Sequence, residues 1–212
     1  MARVLVINPN SSDACGQGIA AAIAPLARPG GPRFDVVSLA DGPPAILTWA
    51  DWHAAAGLIL HRIAADPADA YIVACASDPG IEAARTATPR PVFGVFRAAV
   101  AGAVARAERF GVIAIVEASK ARHRAALRSM GLEPRLAAEV ALNVGMDILL
   151  DPIAARAALI AAACACAAEG AETVILGCTG MTHHRRAIEA EVGVPVIDPC
   201  RQAAAMALAA LA

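Results

Sequence analysis

One pattern occurs twice in this chain, about a hundred residues apart, and the duplication limits the folds open to it. Thr173-Val174-Ile175-Leu176 runs into Gly177-Cys178-Thr179-Gly180-Met181, and Tyr71-Ile72-Val73-Ala74 runs into Cys75-Ala76-Ser77-Asp78-Pro79-Gly80. Each is a short apolar run, rich in β-branched residues, that ends in a cysteine and a small-polar turn. Such runs read as buried parallel strands that deliver a side chain to their C-terminal ends. Cys75 and Cys178 lie 103 residues apart, and Ser12 and Ser119, each just after an apolar run, lie 107 apart. Offsets that nearly agree predict two similar halves.

The rest of the chain fits that plan. Strands are expected at 3–8, 34–39, 70–74 and 91–95, and again at 110–116, 135–140, 173–176 and 194–198. Helices are expected at about 14–26, 48–65, 79–86, 97–109, 121–130, 152–169, 183–191 and 201–212. Asn8-Pro9-Asn10-Ser11-Ser12-Asp13 supplies a turn and a helix cap, and Asp41-Gly42-Pro43-Pro44 a loop able to overhang a site. Strands alternating with helices give an α/β fold with mostly parallel sheets. The expectation is two pseudo-symmetric lobes: residues 1–96 with the C-terminal helix at about 201–212, and residues 97–200. Ligands of such sheets bind beyond the strand C-termini, so the cleft between the lobes is the expected site.

Composition removes several function classes. With 58% hydrophobic and 17% charged residues the chain is core-forming. A net charge of −1 and 3% aromatics argue against nucleic acid and anionic membranes as partners. No apolar run approaches the roughly 18 residues of a membrane span, and Met1-Ala2-Arg3-Val4 enters a strand directly, without the pattern of a signal peptide. A cytoplasmic location is therefore expected, where the six cysteines stay thiols. Cys15, Cys164, Cys166 and Cys200 read as small packing residues. Neither Cys164-Ala165-Cys166 in a helix nor the adjacent His183-His184 has metal-ligand spacing, so no metal is expected. The only lysine, Lys120, reads as part of a solvated helix start, which argues against a Schiff-base cofactor, and no glycine-rich phosphate loop occurs. Chemistry must come from side chains, with no cofactor. His183, His184, Arg85 and Arg122 read as surface residues, and Trp49 and Trp52 as helix packing.

Two opposed thiols have a defined chemistry. Both cysteines precede helix starts, whose amides and dipole favour a thiolate and can hold a developing oxyanion. One thiolate removes a proton from one face of a carbon, and the other thiol returns a proton to the opposite face. Reversal exchanges the roles, so inversion of a stereocentre suits two near-equivalent half-domains.

These residues resemble the aspartate/glutamate/hydantoin racemase superfamily, and most of all its hydantoin racemase branch. The resemblance rests on Ile7-Asn8-Pro9-Asn10-Ser11-Ser12, Gly42-Pro43, Cys75-Ala76-Ser77-Asp78-Pro79-Gly80, Arg109-Phe110-Gly111-Val112-Ile113 and Leu176-Gly177-Cys178-Thr179-Gly180-Met181. It implies an interlobe site, Cys75 and Cys178 as the acid/base pair, no cofactor, and a homo-oligomer. It also implies substrate contacts from Asn8, Pro43, Ala76, Ser77, Thr179 and Gly180. Two departures stand out. Ala114 and Ile115 replace threonines common among relatives, and Arg97 replaces an acidic residue, so that it either pairs with an anionic substrate or faces solvent. The substrate expected is a small molecule, best a 5-monosubstituted hydantoin. Allantoin, aspartate and glutamate remain open, as do a related two-cysteine isomerase and an arylmalonate-type decarboxylase, although the presence of Cys75 argues against the last. A catalytically silent binding protein is the alternative of a different class.

Overall fold

The computed structural model describes residues 1–151 and 153–212. Its first half is β1 (Arg3–Asn8), α1 (Asp13–Ile23), β2 (Arg33–Ser38), α2 (Trp49–Ala65), β3 (Ala70–Val73), α3 (Ile81–Ala87), β4 (Val92–Gly94) and α4 (Val95–Val104). The second half repeats the order with one insertion: β5 (Phe110–Ala114), α5 (Glu117–Ser129), β6 (Leu136–Ala141), α6 (Met146–Leu150), α7 (Arg156–Ala168), β7 (Thr173–Gly177), α8 (Arg185–Val192) and β8 (Val196–Ile197), before α9 (Pro199–Ala210) closes the chain.

The duplication reappears in the topology. One sheet runs β2-β1-β3-β4 and the other β6-β5-β7-β8, all pairs parallel. In each sheet the chain leaves the first strand to one side and returns on the other, so a crevice opens beyond the ends of β1 and β3, and of β5 and β7. Cys75 follows β3 and Cys178 follows β7. The central strands are buried on both faces, which is why they read as unbroken apolar runs.

Among the described residues, four packed clusters hold the layers. Val4, Val6 and Ile72 pack with Ile19 of α1 and Ala203 and Ala207 of α9. Leu5, Ile7 and Val73 pack on the other face with Ile59 and Ile63 of α2. In the second sheet, Ile113 and Leu176 pack with Leu159 and Ala163 of α7. Val112 and Ile175 pack with Leu127 of α5 and with Phe96 and Val100 of α4. Val95 and Ala98 of α4 belong to the first-sheet cluster, so α4 is a wall shared by both halves.

Several boundaries differ from expectation. α4 begins at Val95 and ends at Val104 rather than spanning 97–109, because the Asp78 carboxylate caps it earlier, accepting from Phe96 N at 2.8 Å and Arg97 N at 2.9 Å. α5 begins at Glu117, not at 121, which draws Lys120 into the helix, paired with Glu117. Thr179–His184 is a 3-10 turn ahead of α8. β8 has two residues, since Asp198 caps α9 at Cys200 N. The predicted start of the helix at Pro152 lies outside the described residues. α6 was not expected at all, being one short turn with too few residues to show a period. Among the described residues, no helix is long and apolar enough to cross a membrane.

Candidate active site

A cavity lies where the two crevices meet. Cys75, Ala76 and Ser77 line it from the first half, and Gly177, Cys178 and Thr179 from the second. Asn10 and the segment Ala45, Ile46 and Leu47 add first-half walls, while Ile115, Ser119, Arg122, His123 and Met146 add second-half walls. Its empty volume out to the open mouth is about 440 Å³.

The backbone of both turns is built to present sulfur. Cys178 is extended, and the next residue starts the 3-10 turn. Gly177 is needed because a Cβ there would sit 2.5 Å from Ile113 O and 3.0 Å from His123 Cε1. Cys75 is likewise followed by a turn in which Asp78 adopts φ 47°, a left-handed conformation that aspartate tolerates. Cys75 Sγ lies 3.5 Å from Ser77 Oγ, and Thr179 Oγ1 lies 3.5 Å from the buried Cys15 Sγ.

The electrostatics correct the expectation of stabilised thiolates. Burial pushes the Cys75 thiol above its ordinary range; the Ser77 hydroxyl and amide pull it back, Asp78 opposes them, and Arg122 assists. Burial also pushes Cys178 up, Cys15 adds to the rise, and the Gly180 amide offsets part of it. The amide groups do face the sulfurs, but desolvation outweighs them. Burial thus favours the neutral thiol over the thiolate at both positions.

Asp78 braces the first turn from behind. It is fully buried, its carboxylate capping α4 and facing the Arg97 guanidinium at 3.3 Å. Arg97 also reaches Glu82. It therefore engages two carboxylates outside the cavity, in place of the substrate or solvent contact expected of it. Burial raises the pKa of Asp78 against the pull of the two amides and the guanidinium. Asp78→Ala leaves two helix amides without an acceptor and strips Arg97 of one of its two carboxylate partners, and is expected to destabilise the fold by roughly 3 kcal/mol. Urea unfolding checks this, as a lower midpoint at unchanged slope.

The other expected site residues separate into two groups. Cys75, Ala76, Ser77, Thr179 and Cys178 come together on the cavity. Asn8, Pro43 and Gly180 stand behind it. The buried Asn8 amide donates to Asn10 Oδ1 at 2.9 Å and Ser38 Oγ at 3.1 Å, shaping the loop that carries Asn10. Pro43 O accepts from Ser11 N at 3.1 Å, which holds the overhanging loop to the same turn. Gly180 lies beneath α6, where a Cβ would meet Met146 Cε at 3.0 Å.

Other readings change as well. His183 is exposed, but His184 is buried, with Nε2 3.2 Å from Leu149 O. Trp52 packs as expected and also donates from Nε1 to Ser77 O at 2.9 Å. Arg122, expected at the surface, is 3% exposed. It reaches over to the first half, donating to Leu47 O at 3.0 Å and Ile46 O at 3.4 Å, and within α5 to Ala118 O and Ser119 Oγ. His123 stacks on Phe96 with centroids 4.6 Å apart, its Nδ1 2.7 Å from the buried Glu139 Oε1. The signal for this wall was present in the sequence. Ser119, Arg122, His123, Ala126 and Leu127 are the buried face of α5 at helical spacing, but polar side chains occupy its first two turns.

The family model for Asp/Glu/hydantoin racemase matches residues 4–207. Hydantoin racemase of Paenarthrobacter aurescens is 35% identical over 211 residues, covering 97% of this chain and 89% of that one. The solved structure of allantoin racemase from Klebsiella pneumoniae superposes with a TM-score of 0.93 at 30% identity, covering all of this chain and 88% of that one. Allantoin racemase from Pseudomonas fluorescens superposes at 0.92 with 27% identity, covering 99% and 90%.

Proposed function

The chain belongs to the Asp/Glu/hydantoin racemase family, and on that footing we propose that it inverts the stereocentre of 5-monosubstituted hydantoins by proton transfer between Cys75 and Cys178. The observation that carries this reading is the placement of both cysteines on one cavity, at equivalent strand ends of two like-ordered sheets.

The chemistry follows from that symmetry. One sulfur, as thiolate, takes the proton from C5 of the ring. The electron pair of the broken C–H bond delocalises onto the adjacent carbonyl oxygen. The thiol on the other side donates its proton to the opposite face of C5, and the carbonyl re-forms. One thiolate is consumed and one is produced, so the protons balance, and the reverse reaction exchanges the two roles. Stabilising the oxyanion next to C5 is what makes carbon deprotonation accessible to a thiolate.

The hydantoin assignment draws on the P. aurescens relative, and the allantoin racemase structures extend it to a hydantoin bearing a ureido group at C5. A polarimetric panel of L-5-benzylhydantoin, one enantiomer of allantoin and L-aspartate tests it. Loss of rotation is expected with the two ring substrates and not with aspartate. Inversion of aspartate alone would move the assignment to acyclic amino acids. Inertness toward all three would favour a binding protein.

A further inference from the structure

The cavity wall holds a buried cation whose hydrogen-bonding capacity is one short of filled. Arg122 has no carboxylate within ion-pair distance among the described residues. Its four terminal N–H groups are all taken: Nη1 donates to Leu47 O and Ala118 O, and Nη2 to Ile46 O and Ser119 Oγ. The remaining donor, Nε, is buried without any partner. A guanidinium carries five N–H donors and no acceptor, so one charged donor is left unfilled, buried, on a residue that lines the site. Leaving such a group unpaired is costly, and a structure that retains it has a use for the acceptor it lacks.

Resting on the two-thiol reading above, we propose that Arg122 is a catalytic and specificity-determining residue that gives its Nε–H to the single ring carbonyl oxygen adjacent to the reacting carbon. Three observations support this role. The guanidinium is held rigidly by the contacts already named, so it needs no reorganisation as charge grows on that oxygen. Its charge acts on the same space as Cys75, to which it is electrostatically linked. A lone free donor also cannot make the two-pronged fork by which arginine takes a carboxylate, since both terminal nitrogens are spent. It matches one oxygen of a cyclic ureide better than the paired oxygens of an α-amino acid. α5 thus supplies the polar second-half contact that Ala114 and Ile115 cannot.

Arg122 also clasps the segment over the cavity, so the test must separate chemistry from fastening. Wild type, Arg122→Gln and Arg122→Lys are assayed on L-5-benzylhydantoin and allantoin for kcat and KM, with thermal melting of each. The expected result for Arg122→Gln is a kcat lower by about 100-fold or more and KM changed less than about threefold, in protein that still melts cooperatively, though at a lower temperature because buried hydrogen bonds are lost. Arg122→Lys, which keeps a charged donor, should recover part of kcat. A raised KM with kcat kept overturns the proposal in favour of a clasp alone. So does a lysine variant no better than the glutamine one. Failure of the wild type to invert either ring substrate overturns it as well. If Cys75→Ser and Cys178→Ser both racemise normally, the two-thiol reading falls. If they do not but Arg122→Gln does, only this assignment falls.

Discussion

Serine in place of Cys178 is expected to lower racemisation by about a thousandfold, and serine in place of Cys75 to do the same. The substitution removes little volume, and both sites tolerate it sterically, since each side chain is only half-buried against the cavity. What it removes is acidity. An alcohol does not ionise near neutral pH, so it neither takes a proton from carbon nor gives one up at a useful rate. The losses should be nearly equal because the two positions are equivalent strand ends. They should also be non-additive: the double variant is expected to be no worse than either single one, since one missing partner already stops inversion. Polarimetry at matched protein concentration, with melting curves to show that the variants fold, reads all three.

The second large effect is on pH dependence. Burial raises both thiols, while turnover needs one sulfur ionised and the other protonated. The active form is therefore a minor species at pH 7 and grows as the pH rises. With an ordinary thiol near 8.5 as the lower limit, kcat/KM should climb by about tenfold per pH unit from roughly pH 7 to pH 8.5 and beyond. It should fall again only where the second thiol ionises. A thiol pair lowered by its turn amides would give the opposite, a flat profile from pH 7 upward. The measurement is kcat/KM against pH, on a substrate that does not itself titrate in the range. Arg122→Gln removes one of the influences that favour the Cys75 thiolate, so its profile should lie further to the alkaline side.

Much of this arrangement was legible before any coordinates. Val4 to Ile7 and Val174 to Leu176 are apolar on both faces of a strand, a pattern that central parallel strands require, and the cysteines at the ends of β3 and β7 stand where two nearly equal offsets put them. Four features escaped. α6 is five residues long and yet places Met146 on the cavity, and so short a turn carries no periodic signal. The buried face of α5 is hidden by its composition. Arg122 and His123 look like solvent residues until Leu47 O and the Glu139 carboxylate, distant in sequence, are seen to receive them. Thiol ionisation was misjudged for a related reason. The turn amides are local and readable, but the desolvation that outweighs them comes from tertiary burial, and no local motif encodes it. Arg97 follows the same rule: its partner Asp78 lies 19 residues earlier, across a strand.

The most direct test of the two-sulfur account is the fate of deuterium during early turnover in heavy water, each enantiomer of 5-benzylhydantoin being followed separately by chiral chromatography and mass spectrometry, with the uncatalysed rate subtracted. The account predicts label at C5 of the inverted product and almost none in the recovered substrate, from either starting enantiomer. It further predicts that Cys75→Ser and Cys178→Ser stop inversion and leave exchange, where any persists, on opposite enantiomers. Equal labelling of substrate and product from the first turnovers, or inversion at the wild-type rate by either variant, would contradict it.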